Sequence, residues 1–283
     1  MKLYDALQSR ALRRSATAAA CLALASGAAS AFLFYRVVAV PSATVALIAF
    51  FLGAMAGATP AAAAGILLHA IEENRRQAEA LTAIRPLMGD LPLPLGRWAC
   101  DAHFAALIVR TIADSRPSLV VECGSGSSTV LAAETLRRLG SGHILSFEHD
   151  AAFADATRRM LAHRGLNPFA TVLTTPIAPR LVDGETRPWY ADSADARVDA
   201  SIDLLIVDGP PRHLHSLARF PAIPLLGHHL APACTILMDD GNRPDESRIA
   251  LLWARRLHAA VSFVRGGKGA WILRPRTPPP EAS

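Results

Sequence analysis

Short apolar segments alternate with amphipathic helical patterns along residues 101–274, and this alternation restricts the possible folds more than any other feature of the sequence. Leu119–Val121 and Ile202–Val207, for example, are almost wholly apolar, as is typical of strands buried on both faces of a parallel sheet. The predicted strands are Leu119–Val121, His143–Phe147, Thr171–Thr174, Ile202–Val207 and Thr235–Met238, followed by a closing hairpin of Val261–Val264 and Ala270–Leu273. The pattern predicts an α/β fold with a doubly wound, mostly parallel seven-stranded sheet, a C-terminal antiparallel hairpin and a ligand site at the strands' carboxyl ends.

The N-terminal region differs from this domain because it contains two long stretches without a charged residue, Ser15–Tyr35 and Val37–Ile71. As a helix, the first stretch would be about 31 Å long, which matches the thickness of a bilayer's hydrocarbon core. The run from about Thr44 to Leu68 is long enough as well. Basic residues precede the first run and follow the second, and such flanks are typical of the cytoplasmic side. We therefore expect two transmembrane helices that form a hairpin in the inner or plasma membrane, with the folded domain in the cytoplasm.

A secretory signal is the alternative for the same residues, since Arg13 and Arg14 precede an alanine-rich stretch and Ala29–Ala31 would suit cleavage. Cleavage would export the domain, whereas the chemistry derived below needs a cytosolic ligand, so the uncleaved hairpin is favoured. The predicted organisation is a basic N-terminus and membrane hairpin (1–71), an amphipathic helix and linker (72–97), one globular domain (98–274) and a disordered proline-rich tail (275–283).

The charge distribution argues against a nucleic-acid partner. The net charge is +5, and residues 1–71 contain five basic residues and one acidic residue, so the globular remainder is close to neutral. Its arginines are scattered rather than clustered. The four cysteines show no C-x-x-C spacing and are therefore read as free thiols.

The segment after the first strand, Glu122-Cys-Gly-Ser-Gly-Ser-Ser-Thr129, carries the clearest ligand-binding signal. Gly124 and Gly126 let the backbone turn sharply and lie close to a ligand, and a serine can cap the helix that follows. Dinucleotide-binding proteins share such a turn, so an NAD-dependent oxidoreductase or epimerase is one alternative. However, Thr129 replaces the third glycine of that motif. An acidic residue before the first glycine suits a ligand with an ammonium and a sulfonium better than a pyrophosphate.

These residues resemble those of class I S-adenosylmethionine-dependent methyltransferases, over about Asp101–Arg274. Glu122-x-Gly-x-Gly126 is similar to the family's first motif, with Ser128 in place of the usual third glycine. Glu148 ends the second strand, where the family has an acidic residue that accepts both ribose hydroxyls. The resemblance implies S-adenosylmethionine as the cofactor. The residues assigned to the cofactor are Glu122, Gly124, Ser125, Gly126, Ser128, Thr129, Glu148, His149 and Asp208.

Asp208 and the pair Asp239–Asp240 end the fourth and fifth strands, whose ends should converge on one cleft. Three carboxylates this close repel one another unless a cation compensates, and oxygen ligands suit Mg²⁺ or a similar hard ion. The arrangement is similar to metal-dependent O-methyltransferases of the catechol and macrolide-sugar type, in which the metal lowers the pKa of the substrate hydroxyl. The chain departs from the catechol type by having Asp-Asp in place of Asp-Asn. The alternative is that the carboxylates cap helices or pair with arginines, for which the candidates are Arg212, Arg219 and Arg243.

Asp208 and His213 are the predicted catalytic residues, with His213 as the group that takes the proton from the attacking hydroxyl. Trp189 and Tyr190 fall in a long predicted loop, 176–200, which we expect to cover the substrate as a lid. The predicted function is a membrane-anchored methyltransferase that O-methylates a small-molecule, sugar or lipid-linked hydroxyl. A non-catalytic membrane-attached module of the same fold is the remaining alternative.

Overall fold

The computed structural model describes residues 60–88, 93–95, 99–191 and 195–275. The chain divides into two compact units, residues 1–75 and 76–283, and everything that follows on the sheet and the site concerns the second. The described helices are α1 (Pro60–Met88), α2 (Ala102–Ser115), α3 (Ser127–Leu139), α4 (Ala151–His163), α5 (Ala222–Leu226) and α6 (Pro244–Arg256). The described strands are β1 (Leu119–Cys123), β2 (His143–Glu148), β3 (Ala170–Thr174), β4 (Ile177–Val182), β5 (Glu185–Tyr190), β6 (Ile202–Val207), β7 (Leu230–Met238), β8 (Ala259–Val264) and β9 (Ala270–Pro275).

A seven-stranded sheet in the order β3-β2-β1-β6-β7-β9-β8 forms the centre of the domain. The first five strands in this order are parallel, and β9 and β8 add the antiparallel edge, which confirms the predicted mixed sheet. Alternate residues of the buried strands face two cores. Val120 and Leu204 pack with α2 and α3, whereas Val121 and Leu205 pack with α5 and α6. This two-sided burial is the physical reason for the continuous apolar runs in the sequence.

The strand order reverses at β1, which lies between β2 on one side and β6 on the other. Hydrogen bonding continues past the strand ends: Gly124 N donates to Phe147 O at 2.8 Å, and Asp208 N donates to Cys123 O at 2.9 Å. Asp239 N likewise donates to Val207 O at 3.1 Å. The loops after β1, β2, β6 and β7 are therefore held side by side at the carboxyl edge, where open α/β sheets bind ligands.

The prediction that residues 176–200 form an open loop is wrong. The strands β4 and β5 form a separate two-stranded antiparallel sheet within residues 176–200. Asp183 and Gly184 at its turn have φ values of +52° and +84°, and Asp-Gly is a strong local signal for a hairpin turn of this kind. Trp189 and Tyr190 are completely buried at the end of β5, so they are core residues and do not cover the cleft from outside.

The predicted first membrane span, Ser15–Tyr35, and most of the second lie outside the described residues. The end of the second, from Pro60, belongs to α1. Over the ranges that the structure describes, no helix combines the length and the apolar character needed to cross a bilayer.

Candidate active site

The turn between β1 and α3 brings the backbone close to the neighbouring loop, which explains its first glycine. Gly124 has φ +98°, and a Cβ atom there would lie 3.1 Å from the backbone nitrogen of Gly209. A Cβ on Gly126 would instead meet no atom of the described residues within 4 Å. The first glycine is therefore required by the fold, whereas the second leaves room beside the turn.

Glu122 stabilises this turn through hydrogen bonds that run by way of the Thr129 hydroxyl. Gly126 N donates to Thr129 Oγ1 at 2.9 Å, and Thr129 Oγ1 donates to Glu122 Oε2 at 2.5 Å. Glu122 is completely buried, and this burial outweighs its hydrogen bonds and raises its pKa from 4.5 to about 7. One oxygen of the carboxylate predicted to contact the cofactor thus stabilises the turn, while the other, Oε1, has no hydrogen-bond partner among the described residues.

Glu148 stands at the end of β2 beside the turn and uses both of its oxygens within the chain. Oε2 accepts from the backbone nitrogen of Ser125 at 2.9 Å and from its hydroxyl at 3.2 Å. Oε1 accepts from Asp150 N at 3.0 Å and lies 2.9 Å from Nδ1 of His149. Burial acts to raise the pKa of Glu148, but these hydrogen bonds leave it below its ordinary value, so the side chain is an ionised acceptor. The same contact raises the pKa of His149.

A cleft of about 760 Å³ runs from this turn to the ends of β6 and β7. The predicted site residues that line it are Gly124, Ser125, Glu148, His149, Asp208, His213 and Asp240. A second, mostly apolar cavity of about 600 Å³ lies on the other side of the turn, against α4, and is lined by Ser125 and Gly126. Glu122, Ser128 and Thr129 are buried behind the turn. The structure therefore brings most of the predicted cofactor residues to one cleft and gives three of them a supporting position.

The three aspartates at the ends of β6 and β7 do come together. Asp208, Asp239 and Asp240 each offer a carboxylate oxygen, and these atoms lie within 4.8 Å of one another. We refer to them as the acidic cluster. The oxygen donors are of the type that a hard divalent cation prefers.

The guanidinium of Arg219 lies inside the acidic cluster. Its Nη2 donates to Asp240 Oδ2 at 2.6 Å and to Asp208 Oδ1 at 3.1 Å. It also donates to the backbone oxygens of Asp208, at 2.9 Å, and of Asp239, through Nη1, at 2.7 Å. Arg243 Nη1 adds a second contact to Asp240 Oδ2 at 2.7 Å. Of the three arginines proposed as alternative partners, Arg219 and Arg243 are in place, whereas Arg212 is exposed at the mouth of the cleft.

Asp239 differs from the other two members. Both of its side-chain oxygens are buried and have no hydrogen-bond partner among the described residues; the ammonium of Lys268 is 3.9 Å from Oδ2. Burial and the neighbouring carboxylates raise its pKa well above the ordinary value. Burial also raises the pKa of Asp208 to about 6. The cluster therefore contains one carboxyl group that its environment strongly favours in the neutral form.

Lys268 was not predicted from the sequence as a site residue, and Tyr190, predicted as part of a lid, instead lines the cleft. Lys268 lies in the glycine-rich turn of the closing hairpin, where its backbone nitrogen donates to Asp101 Oδ2 at 2.7 Å. Tyr190 lines the cleft, and its hydroxyl is buried without a hydrogen-bond partner within the described part of the chain. Both are far in sequence from the motifs that they meet, so only the fold reveals their position.

Comparison with known proteins agrees with this geometry. Residues 121–241, from the glycine turn to the acidic cluster, match a family model described as a methyltransferase domain. Among curated proteins, no sequence matches the chain. The SAH-bound methyltransferase PaMTH1 from Podospora anserina has a similar fold, with a TM-score of 0.51 and 13% identity over 71% of this chain and 88% of that one. A putative caffeoyl-CoA O-methyltransferase from Staphylococcus aureus has a TM-score of 0.50 and 11% identity over 74% of this chain and 98% of that one.

The matched segment contains the glycine turn, Glu148 and the acidic cluster, and the fold around it is that of solved methyltransferases. The predicted class of enzyme, an S-adenosylmethionine-dependent methyltransferase, is therefore confirmed. An NAD-dependent oxidoreductase is correspondingly disfavoured.

Proposed function

We propose that this enzyme transfers the methyl group of S-adenosylmethionine to an oxygen atom of a small-molecule, sugar or lipid-linked acceptor. The cleft between Glu148 and the acidic cluster holds both molecules in this proposal. The observation that carries it is the placement of the glycine turn and Glu148 at adjacent strand ends of a methyltransferase fold. Transfer to oxygen, rather than to another atom, is favoured by the fold shared with the putative caffeoyl-CoA O-methyltransferase.

The chain's own residues bind and orient the cofactor. S-adenosylmethionine supplies an electrophilic methyl group on its sulfonium. Glu148 is the proposed acceptor for the two ribose hydroxyls. Its two backbone donors, Ser125 N in the turn and Asp150 N at the start of α4, are fixed by the backbone, whereas the Ser125 hydroxyl and the His149 ring can rotate away. Ribose hydroxyls would replace these two side-chain donors one for one, so that the buried carboxylate stays fully hydrogen-bonded.

The acceptor side of the cleft must align a nucleophile and take its proton. His213 is exposed at the cleft mouth, within reach of solvent, and is the proposed base for an acceptor hydroxyl. Asp208 lies between this loop and the cofactor side and is the proposed orienting residue. Alignment of donor and acceptor accounts for the main part of the rate enhancement in this scheme. Mg²⁺ has no step in it, because Arg219 already occupies the acidic cluster.

Calorimetry on the full-length chain in detergent tests the cofactor assignment. S-adenosylmethionine should bind with one site per chain, and NAD should give no heat. Gly126→Val should weaken S-adenosylmethionine binding by at least about tenfold, because its side chain enters the open space on the α4 side of the turn, which adjoins the cleft at Ser125 and Phe153, while the unfolding midpoint stays the same. Gly227→Ala, away from the cleft and without a positive φ, is the control. Binding of NAD alone would overturn the assignment.

We also propose that the N-terminal region anchors the enzyme in the cell membrane with the domain in the cytoplasm, on the basis of the charge-free runs and their basic flanks. A reporter that is active only in the periplasm, fused after Ser283, should give no signal. A strong signal, or a mature N-terminus near Ala31, would contradict this topology. Comparing the metabolites of cells with and without the gene would identify the acceptor.

A further inference from the structure

We propose that Arg219 is the permanent cation of the acidic cluster and that this enzyme transfers methyl groups without a divalent ion bound to Asp208, Asp239 and Asp240. The second part of this proposal, methyl transfer without a divalent ion, rests on the proposed function. The occupancy of the cluster itself can be measured independently of methyl transfer.

The guanidinium already uses carboxylate oxygens of two of the three aspartates that a metal ion would need, and it leaves only the side-chain oxygens of Asp239 without a partner among the described residues. One carboxylate oxygen of Asp208 and one of Asp240 accept from the same nitrogen, Nη2 of Arg219, at 3.1 Å and 2.6 Å. Two backbone oxygens of the cluster also accept from the guanidinium, and its Nε lies 3.9 Å from Oε1 of Glu246. Only 3% of the Arg219 side chain is exposed, so these are buried, charge-assisted hydrogen bonds rather than a surface ion pair. A metal ion bound to the same carboxylates would stand next to a buried positive charge.

Further positive charges surround the cluster. Arg243 Nη1 contacts Asp240, at 2.7 Å, and is 3.5 Å from Glu246. The ammonium of Lys268 is 3.9 Å from Asp239. Three cations thus face three aspartates and one glutamate, so the mutual repulsion that would call for a divalent ion is already compensated by the chain.

The backbone around Arg219 keeps it in this position. Leu217 and Ala218 are buried, and the carbonyl oxygen of Phe220 accepts a hydrogen bond from the indole nitrogen of Trp253 at 3.0 Å. The backbone oxygen of Arg219 accepts from Ala222 N at 3.2 Å as α5 begins. Moving the guanidinium out to admit a metal ion would leave its buried hydrogen bonds unmade, which is unfavourable.

Arg219 is accordingly a positioning residue in this proposal: it fixes the carboxylates of Asp208 and Asp240 beside the cofactor. Without a metal ion to lower the pKa of the acceptor hydroxyl, the proton must pass to a base such as His213 or the acceptor must already be ionised. This narrows the acceptors proposed above: the enzyme should favour an acidic hydroxyl, such as that of a phenol, over the aliphatic hydroxyls of a sugar.

Mn²⁺ binding to the full-length wild-type enzyme, followed by electron paramagnetic resonance, tests the occupancy directly. We expect no stoichiometric Mn²⁺ site, and we expect excess chelator to leave S-adenosylmethionine affinity unchanged. A single Mn²⁺ site that disappears in Asp239→Asn would overturn the proposal. Absence of S-adenosylmethionine binding in the same sample would instead contradict the proposed function, so the two failures are distinguishable.

Variants at Arg219 sharpen the test. Arg219→Met removes the cation and leaves the three carboxylates facing one another, so this variant should gain one Mn²⁺ site and its unfolding midpoint should rise with added Mn²⁺. Arg219→Lys keeps a cation and should gain no site. Arg256→Met, which removes an exposed ion pair with Asp183, is the matched control and should behave as wild type. A folded Arg219→Met enzyme that neither binds Mn²⁺ nor is stabilised by it would contradict the proposal. If this variant does not fold, the Mn²⁺ measurement on the wild-type enzyme decides.

Discussion

The buried carboxylates at the two ends of the cleft have different hydrogen-bond partners, except for Asp239, which has none among the described residues. On the cofactor side, Glu122 and Glu148 accept from hydroxyls, backbone nitrogens and one histidine. On the acceptor side, Asp208 and Asp240 are bound to the guanidinium of Arg219. Side-chain donors that can rotate, such as the Ser125 hydroxyl and the His149 ring, can be exchanged for ligand hydroxyls, whereas a buried ion pair resists separation. The comparison suggests that the cofactor side adapts on binding and that the acceptor side is preorganised.

The largest effect on stability should come from breaking the ion pair on the acceptor side. Asp240→Asn removes the charge that faces Arg219 and Arg243, and it should lower the free energy of unfolding by about 3 kcal/mol. Asn tolerates the left-handed backbone of this position, where φ is +59°, so the substitution adds little backbone strain. Urea unfolding measures the change.

Asp155→Asn is the matched control for this prediction. Asp155 forms an exposed pair with Arg158 on α4, and its substitution should change the free energy of unfolding by less than about 1 kcal/mol. Equal effects at the two positions would show that the acidic cluster is not held by a buried ion pair.

The contribution of Glu122 to the free energy of unfolding should decrease as pH rises. A carboxylate in a stabilising ion pair would show the opposite pH dependence. The pKa of Glu122 is raised by burial to about 7, so between pH 4.5 and 7 the folded state keeps a proton that the unfolded chain loses. Stability from this group therefore falls as pH rises through this window. Glu122→Gln stays neutral and should be more stable than wild type by up to about 3 kcal/mol at pH 8, with little difference at pH 4.

Urea unfolding at the two pH values checks this, with the exposed Glu185→Gln as a control that should have little effect at either pH. Because Glu122 braces the turn in this structure, Glu122→Gln should also retain S-adenosylmethionine affinity. A tenfold loss of affinity in a stable variant would instead support the direct cofactor contact predicted from the sequence.

The cofactor side could be predicted largely from the sequence because its parts are local. The turn, Thr129 and Glu122 lie within eight consecutive residues, and α3 follows the turn directly, as expected, although its N-cap residue is Gly126 and no serine side chain caps it. Glu148 follows from the end of the next strand. Local sequence determines which side chains are present there, although it does not show that Glu122 points back towards Thr129.

The acceptor side could be predicted only as a set of alternatives. Arg219 meets Asp208 and Asp240 across a loop and two strand ends, and its apolar neighbours, Ala218 and Phe220, indicate burial but do not identify the carboxylates that it binds. The choice between an arginine and a metal ion depends on burial, which requires the tertiary structure. The hairpin of β4 and β5 is different, because Asp183-Gly184 is a local signal for it, and the expectation of an open loop ignored that signal.

A smaller effect is expected where the ligand supplies the hydrogen bonds. Glu148→Ala should weaken S-adenosylmethionine binding by about 1–3 kcal/mol, since the two ribose hydroxyls lose their buried acceptor. Calorimetry on the full-length enzyme measures this, with the exposed Glu185→Ala as the control. Unchanged affinity would show that the Glu148 carboxylate stays bound to Ser125 and His149 and that the ribose lies elsewhere. The cofactor side would then not adapt on binding, and the proposed difference between the two sides of the cleft would be wrong.

The smallest effect should come from Tyr190, which lies between the two sides. Its hydroxyl is buried and finds no hydrogen-bond partner among the residues described, so Tyr190→Phe should change the free energy of unfolding by less than about 0.5 kcal/mol. A Cβ atom on Gly209 would lie only 2.5 Å from that hydroxyl, so Gly209→Ala should be destabilising and Tyr190→Phe should recover part of the loss. Urea unfolding of the single and double variants measures this coupling. If Tyr190→Phe instead lowers S-adenosylmethionine affinity or turnover while stability is unchanged, the hydroxyl donates to a ligand, and the adaptable side of the cleft extends as far as β5.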